Sequence, residues 1–213
     1  TVYGKLKDHV KYIGGGAGYH TLKQEPCIFT NKGIFKDVMY ICIIKSDIQI
    51  AVTHGWQRLR GPFYVTKSQD NILMELDSEN AFEVYKHIIE EEEKVALFRE
   101  DFFVFAKDHP FGIAQKDQTD VVRDPIALGN NNEIICVANI PQDCDIYVLK
   151  GDTQTLLDSS LQIAEQCSSK VQGEYIPLLF DCVSRAMFLE DDFEQELENI
   201  QNNLAFPVEG ALS

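Results

Sequence analysis

Residues Ile176 to Phe180, IPLLF, form an unbroken apolar run that ends abruptly in Asp181, Cys182, Ser184 and Arg185. Alternation would mark a strand with one wet face. Its absence over about five residues predicts a strand covered on both faces, as in the middle of a sheet. In open α/β sheets the loop after such a strand faces the crevice where ligands bind, which places Cys182 and Arg185 where recognition or chemistry would be. A helix should follow. Phe193, Leu197, Ile200 and Leu204 recur at helical spacing, with Asp191, Asp192, Glu194, Glu196 and Glu198 around its first half.

Other segments alternate between strands and helices. Cys27–Thr30, Val38–Lys45 and Ile48–Thr53 are expected as a meander, with turns at Asn31–Gly33 and at Ser46 and Asp47. Phe63–Lys67 and Ile72–Leu76 come next, then a helix from about Asn80 with Ala81, Val84, Tyr85 and Ile88 on one stripe. Past the acidic run Glu90–Glu93, the sequence predicts strands over Val121–Leu128, Glu133–Ile140 and Asp145–Leu149. A helix capped by Asp152 or Thr153 follows, with Leu157, Leu161, Ala164, Cys167 and Val171 as its apolar stripe. Residues 1–12 look like the end of a helix stopped by Gly14, Gly15 and Gly16. The expected class is α/β in the α+β sense: two halves, 1–93 and 94–213, each a mixed or largely antiparallel sheet with flanking helices.

Charge narrows the function. With 34 acids against 19 bases and a net charge of −15, the chain lacks the positive face that nucleic acid or an anionic membrane requires. No apolar run approaches the roughly 20 residues that span a bilayer, and TVYGKLKDHV lacks the apolar centre of a signal peptide. The expectation is a soluble chain. Six cysteines without C-x-x-C spacing fit buried thiols in a reducing compartment rather than disulfides or zinc.

Three constellations remain. Cys182 with Arg185 three residues on suits a thiolate nucleophile only if His54 or His109 lies close enough to act as base, and no catalytic-cysteine signature surrounds it. His54, followed by Gly55 and Trp56, is the better single haem ligand, whereas His87 belongs on a solvated helix face. Arg123 and Arg185 are isolated cations in apolar segments. Each either pairs with a local acid, Asp124 or Asp181, or clamps a ligand carboxylate. The run GGGAG lacks the Lys-Ser/Thr of a phosphate loop and is expected to be a tight connection.

Taken together, VTHGWQRLRGPFYVTKSQDNILMELDSENAFEVY, VVRDPIAL, LLFDCVSRAMFLEDDFEQELENI and FPVEGALS resemble, in order and spacing, the FIST sensory domain family. The family's opening strand and helix are absent, and the last block stops at Ser213 where a Gly-Glu-Ile-like continuation is expected; the sequence looks like a trimmed fragment. What the resemblance implies is a cytoplasmic signal-transduction module, not an enzyme, that binds a small ligand such as an amino acid or other small anion. Its output partner would be a kinase or chemotaxis component. Haem-based nitric oxide sensing, with His54 as the ligand, and protein docking as in an F-box relative are the alternatives it admits. The matched site residues are His54, Trp56, Arg123, Cys182 and Arg185, with Gly55 and Gly210 as turn formers.

Overall fold

The computed structural model describes residues 10–18, 25–116 and 119–213. The helix expected over residues 1–12 therefore lies largely outside the described residues. The first paired strands among the described residues are a short hairpin of β1 (Ile28–Thr30) and β2 (Gly33–Phe35). Val38–Lys45 and Ile48–Thr53 are not strands: their backbone is irregular and Val38, Met39, Tyr40, Ile43 and Ile44 are exposed. Apolar, β-branched composition suits a pleated backbone but supplies no sheet edge to pair with.

The body is one large antiparallel sheet. Its strands are β3 (Gln57–Gln69), β4 (Ile72–Leu76), β5 (Glu79–Asn80), β6 (Phe111–Ile113), β7 (Val121–Arg123), β8 (Pro125–Leu128), β9 (Ile134–Cys136) and β10 (Asp145–Lys150). Neighbours run in the order β7-β6-β10-β3-β4-β9-β8, with β5 added on β4. The two outermost strands, β7 and β8, are separated in the chain by Asp124 alone, so the sheet must curl until its ends meet at that residue. Gly61 in β3 makes the curl tight. It has φ +126°, and a Cβ there would lie 2.9 Å from the Tyr147 ring of β10.

Helix α1 (Ala81–Glu93) fills the curl because Ala81, Phe82, Tyr85, Ile88 and Ile89 form one apolar stripe. Asn80 caps it, its side chain accepting from the amides of Phe82 and Glu83. Phe102 of α2 (Phe102–Ala106) and Phe111 pack edge or tilted against the Tyr85 ring, and the buried Tyr85 hydroxyl donates to the His109 carbonyl at 2.9 Å.

A second, smaller core forms where Trp56 meets Leu149, Leu156 and Leu189. It is built by α3 (Thr153–Ser168), α4 (Val183–Leu189) and α5 (Phe193–Asn202). Asp152 caps α3 through Thr155 N–H, but the buried face is Leu156, Ser159, Ser160 and Ala164. That face is rotated from the expected stripe because serines small enough to admit a neighbouring loop occupy it.

The run that promised a central strand does not deliver one. β11 (Leu178–Asp181) pairs only with β12 (Glu209–Leu212), in parallel, as a separate two-stranded sheet. Ile176 is 82% and Leu178 51% exposed, and only Asp181 at its end is buried. The strand is covered on one face only: Leu178 and Phe180 are exposed, whereas Leu179 is half-buried and Asp181 buried. Gly210, expected as a turn former, is a strand residue of β12: a Cβ would strike the Leu179 carbonyl oxygen at 2.0 Å.

Candidate functional site

The loop His54–Gly55–Trp56 enters β3 and lies against α3. Gly55 permits this. Its φ is +70°, and a Cβ would come within 2.7 Å of Ser159 Oγ and 3.0 Å of Leu156 Cα. Trp56 packs edge-on against Phe188 of α4, with centroids 5.3 Å apart. The Trp56 amide donates back to His54 Nδ1 at 3.0 Å.

Arg185 of α4 is buried and gathers this loop to two helices. Nη1 donates to the His54 carbonyl at 2.6 Å and to Ser159 Oγ at 3.3 Å, and Nη2 donates to the Leu156 carbonyl at 3.0 Å. Nε donates to Glu196 Oε1 of α5 at 3.0 Å, and Nη2 also reaches that oxygen. Asp181 Oδ1 stands 3.8 Å from Nε. All five guanidinium hydrogens are engaged, so no donor remains to clamp a ligand carboxylate.

Burial pushes the Glu196 and Asp181 carboxyls above their ordinary range, against the pull of Arg185 on both and, on Asp181, of the Cys182 amide. Glu196 lay hidden in an acidic stretch. The signal that would have found it is its position three residues after Phe193 and four before Ile200, on the buried stripe of its helix.

His54 sits beside this joint. Burial lowers its pKa, with Arg185 acting in the same direction and Asp120 opposing them. Asp120 is itself gripped by Arg58, through Nε at 2.7 Å and Nη2 at 2.6 Å, and that guanidinium lies 3.8 Å over the Tyr147 ring. Because His54 Nδ1 accepts the Trp56 amide, the neutral ring carries its hydrogen on Nε2, which has no partner among the described residues. Neither nitrogen then offers a lone pair to iron, so His54 does not fit a haem ligand. Among the described residues no group of three or more His, Cys, Asp or Glu side chains converges as a metal site.

The other sequence-derived candidates stand apart. Cys182 is the N-cap of α4, its amide donating to Asp181 Oδ1 at 2.8 Å. Neither His54 nor His109 is hydrogen-bonded to its sulfur. Arg123, at the β7–β8 corner, gives Nε to the Asn139 carbonyl and Nη1 to that of Val122. Neighbouring Asp124 is pushed up by burial, against the pull of the Ser184 hydroxyl and Arg123. The structure thus joins His54, Trp56 and Arg185 in a packed joint, with Cys182 at its edge and Arg123 outside it.

The open volume lies on the other side of Phe188. A cleft of about 300 Å³ is bounded by Glu93 at the end of α1, Val104 and Phe105 of α2 with Asp108 and His109 just after it, Lys150 at the end of β10, Gly151, and Phe188. Gly151 shapes it, since a Cβ there would be 2.6 Å from both the Phe188 and Trp56 rings. His109 faces the cleft, its Nδ1 hydrogen donated to the Phe105 carbonyl at 3.0 Å. Its Nε2 is buried with no hydrogen-bond partner, though Glu93 Oε1 lies 3.3 Å away. Asp108 Oδ1 is also buried and unpartnered; burial chiefly raises that carboxyl.

His109 was visible in the sequence only as a candidate base. Glu93 belongs to an acidic run whose composition reads as solvated surface, and neither Asp108 nor Lys150 stood out in the sequence. A second groove, of about 310 Å³, is polar and self-satisfied: Lys67 pairs with Glu75 at 3.6 Å, and Glu133 accepts from Asn131.

Protein-family models match residues 2–79 as a FIST N domain and residues 81–213 as a FIST C domain. No curated protein and no solved structure matches the chain. The boundary between the two matches falls at the start of α1, and strands from both sides of it share the curled sheet. Among the described residues no helix is long and apolar enough to cross a membrane.

Proposed function

Because this chain belongs to the FIST family, whose domains are regarded as sensory modules of signal transduction, we propose that it is the small-ligand sensor of a cytoplasmic signalling protein. Its ligand occupies the His109 cleft, and it is not an enzyme. The observation that carries this reading is the cleft itself, bordered by His109 and Asp108, whose Nε2 and Oδ1 atoms are buried without hydrogen-bond partners. Leaving such groups unmade costs about 1–3 kcal/mol each, a cost a native site tolerates when a ligand satisfies them.

The same cleft is walled by Phe188, one helical turn from Arg185 on α4. A ligand pressing on Phe188 therefore acts on the helix whose guanidinium holds the His54 loop. Contact that favours one setting of α4 shifts the joint toward that setting and passes the bias to an output partner such as a kinase or chemotaxis component.

The test is thermal unfolding in the presence of amino acids and small anions. A ligand at 100 times its dissociation constant adds about 2.7 kcal/mol, raising Tm by roughly 5–10 °C. Val104 lines the cleft and is 57% exposed, so Val104→Trp should obstruct the cleft and abolish the shift without unfolding the chain. The second reading, a protein-docking module, is favoured by the exposed apolar stretch around Met39 (73%) and Ile43 (88%). No shift with any compound would favour it.

A further inference from the structure

His54 is held by bonds that only its neutral ring can make. The Trp56 amide can only donate, so its 3.0 Å bond fixes Nδ1 as an acceptor, and a proton added there would set two donors face to face. Nε2, which carries the hydrogen of the neutral ring, is buried without a hydrogen-bond partner among the described residues. A doubly protonated ring in this place would therefore carry a full positive charge on two N–H groups, with an acceptor for neither.

The charged groups around the ring give it no relief. Burial lowers its pKa, Asp120 opposes this and Arg185 adds to it. Asp120, just ahead of β7, is already committed, since Arg58 of β3 holds both its oxygens. From α4, Arg185 places Nη1 at 2.6 Å from the carbonyl of His54 itself, so an imidazolium would stand beside a guanidinium. Glu196 of α5 and Asp181 at the end of β11 are taken up by that same guanidinium. α3 meets it only through uncharged groups, the Leu156 carbonyl and the Ser159 hydroxyl.

We propose that the His54–Gly55–Trp56 loop is an acid-sensitive latch: a proton on His54 Nδ1 breaks the bond to the Trp56 amide, expels the ring from the joint and lifts the indole off Phe188 of α4. The folded ring titrates below the unfolded value of about 6.5, so the unfolded chain takes up the proton first. The latch is thus closed at neutral pH, and its contribution to stability is lost as pH falls from about 6.5 through the folded value. Phe188 belongs both to the latch and to the wall of the cleft, yet the latch works whether or not a ligand enters there.

Trp56 is the only tryptophan in the chain and is 6% exposed, so its emission reports this loop and starts from a buried indole. With the whole chain taken from pH 8 to pH 5, the emission maximum should move to the red and acrylamide quenching should rise severalfold, while the far-UV circular dichroism stays constant. The His54 Cε1 proton, assigned through the backbone by NMR, should titrate with the same midpoint, below about 6.5. His54→Asn puts an amide oxygen in the place of Nδ1 with no proton to gain, so it should match the unaltered chain at pH 8 and keep that emission to pH 5.

An indole transition that persists in His54→Asn would assign it to Asp181 and Glu196, whose carboxyls burial raises, and would overturn the latch. So would an indole that stays buried to pH 5, a His54 ring that titrates without moving it, or a far-UV loss at the same midpoint, which is unfolding. If His54→Asn does not fold, the coincidence of ring and indole midpoints in the unaltered chain still decides.

Discussion

At the scale of single residues, the joint around Arg185 was half legible. An arginine in an otherwise apolar segment announces a partner, and Asp181 was in view; Glu196 was not, because an acid on an apolar helical stripe is masked when its neighbours are acids too. Breaking a buried ion pair by removing one member costs about 3–5 kcal/mol, since the survivors stay desolvated. Arg185→Met should cost about that in urea unfolding.

The loss should also depend on pH. Without the guanidinium, the Glu196 and Asp181 carboxyls rise further, so between the unfolded values of about 4 and those raised values the folded chain binds more protons than the unfolded one. Stability then falls with rising pH, and the deficit against the unaltered chain should be larger at pH 8 than at pH 5. Gly55 makes a second residue-scale prediction. Its φ of +70° and its contact with α3 leave no room for a methyl group, so Gly55→Ala should cost about 1–3 kcal/mol and loosen the Trp56–Phe188 pair, seen as a shift in tryptophan emission.

At the scale of elements, helices and hairpin-connected strands were well marked by their own residues. α1 with its Asn80 cap, α3 with its Asp152 cap, and β4 at Ile72–Leu76 fall where period and turn chemistry put them. What periodicity could not convey is which strands find partners. Val38–Lys45 carries strand composition without a strand, and the IPLLF run pairs on one side only. Burial was inferred there from composition, but burial belongs to the neighbours. Accordingly Leu178→Thr and Phe180→Thr should each change stability by about 0.5 kcal/mol or less, as surface positions do, where a mid-sheet strand would lose several times that. Equilibrium urea melts of the two variants decide between these outcomes.

At the scale of the whole molecule, the sequence conveyed an acidic α+β chain with strands before helices in each part, but not that strands from both parts close into one curled sheet around α1. Nor could it show that the predicted site residues would fill a joint while the open volume lay one helical turn away, behind Phe188. Such placement depends on contacts more than a hundred residues apart in sequence, as between Arg185 and His54. The ring-like closure turns on Asp124, the one residue between the first and last members of the sheet, whose carbonyl accepts from Val137 at 2.9 Å. A connection that short has no slack, and its length acts as a manufacturing tolerance. Two extra residues spliced after Asp124 should unseat both margins of the ring at once and cost about 2 kcal/mol or more, whereas the same splice after Gly173, in open surroundings, should be nearly silent.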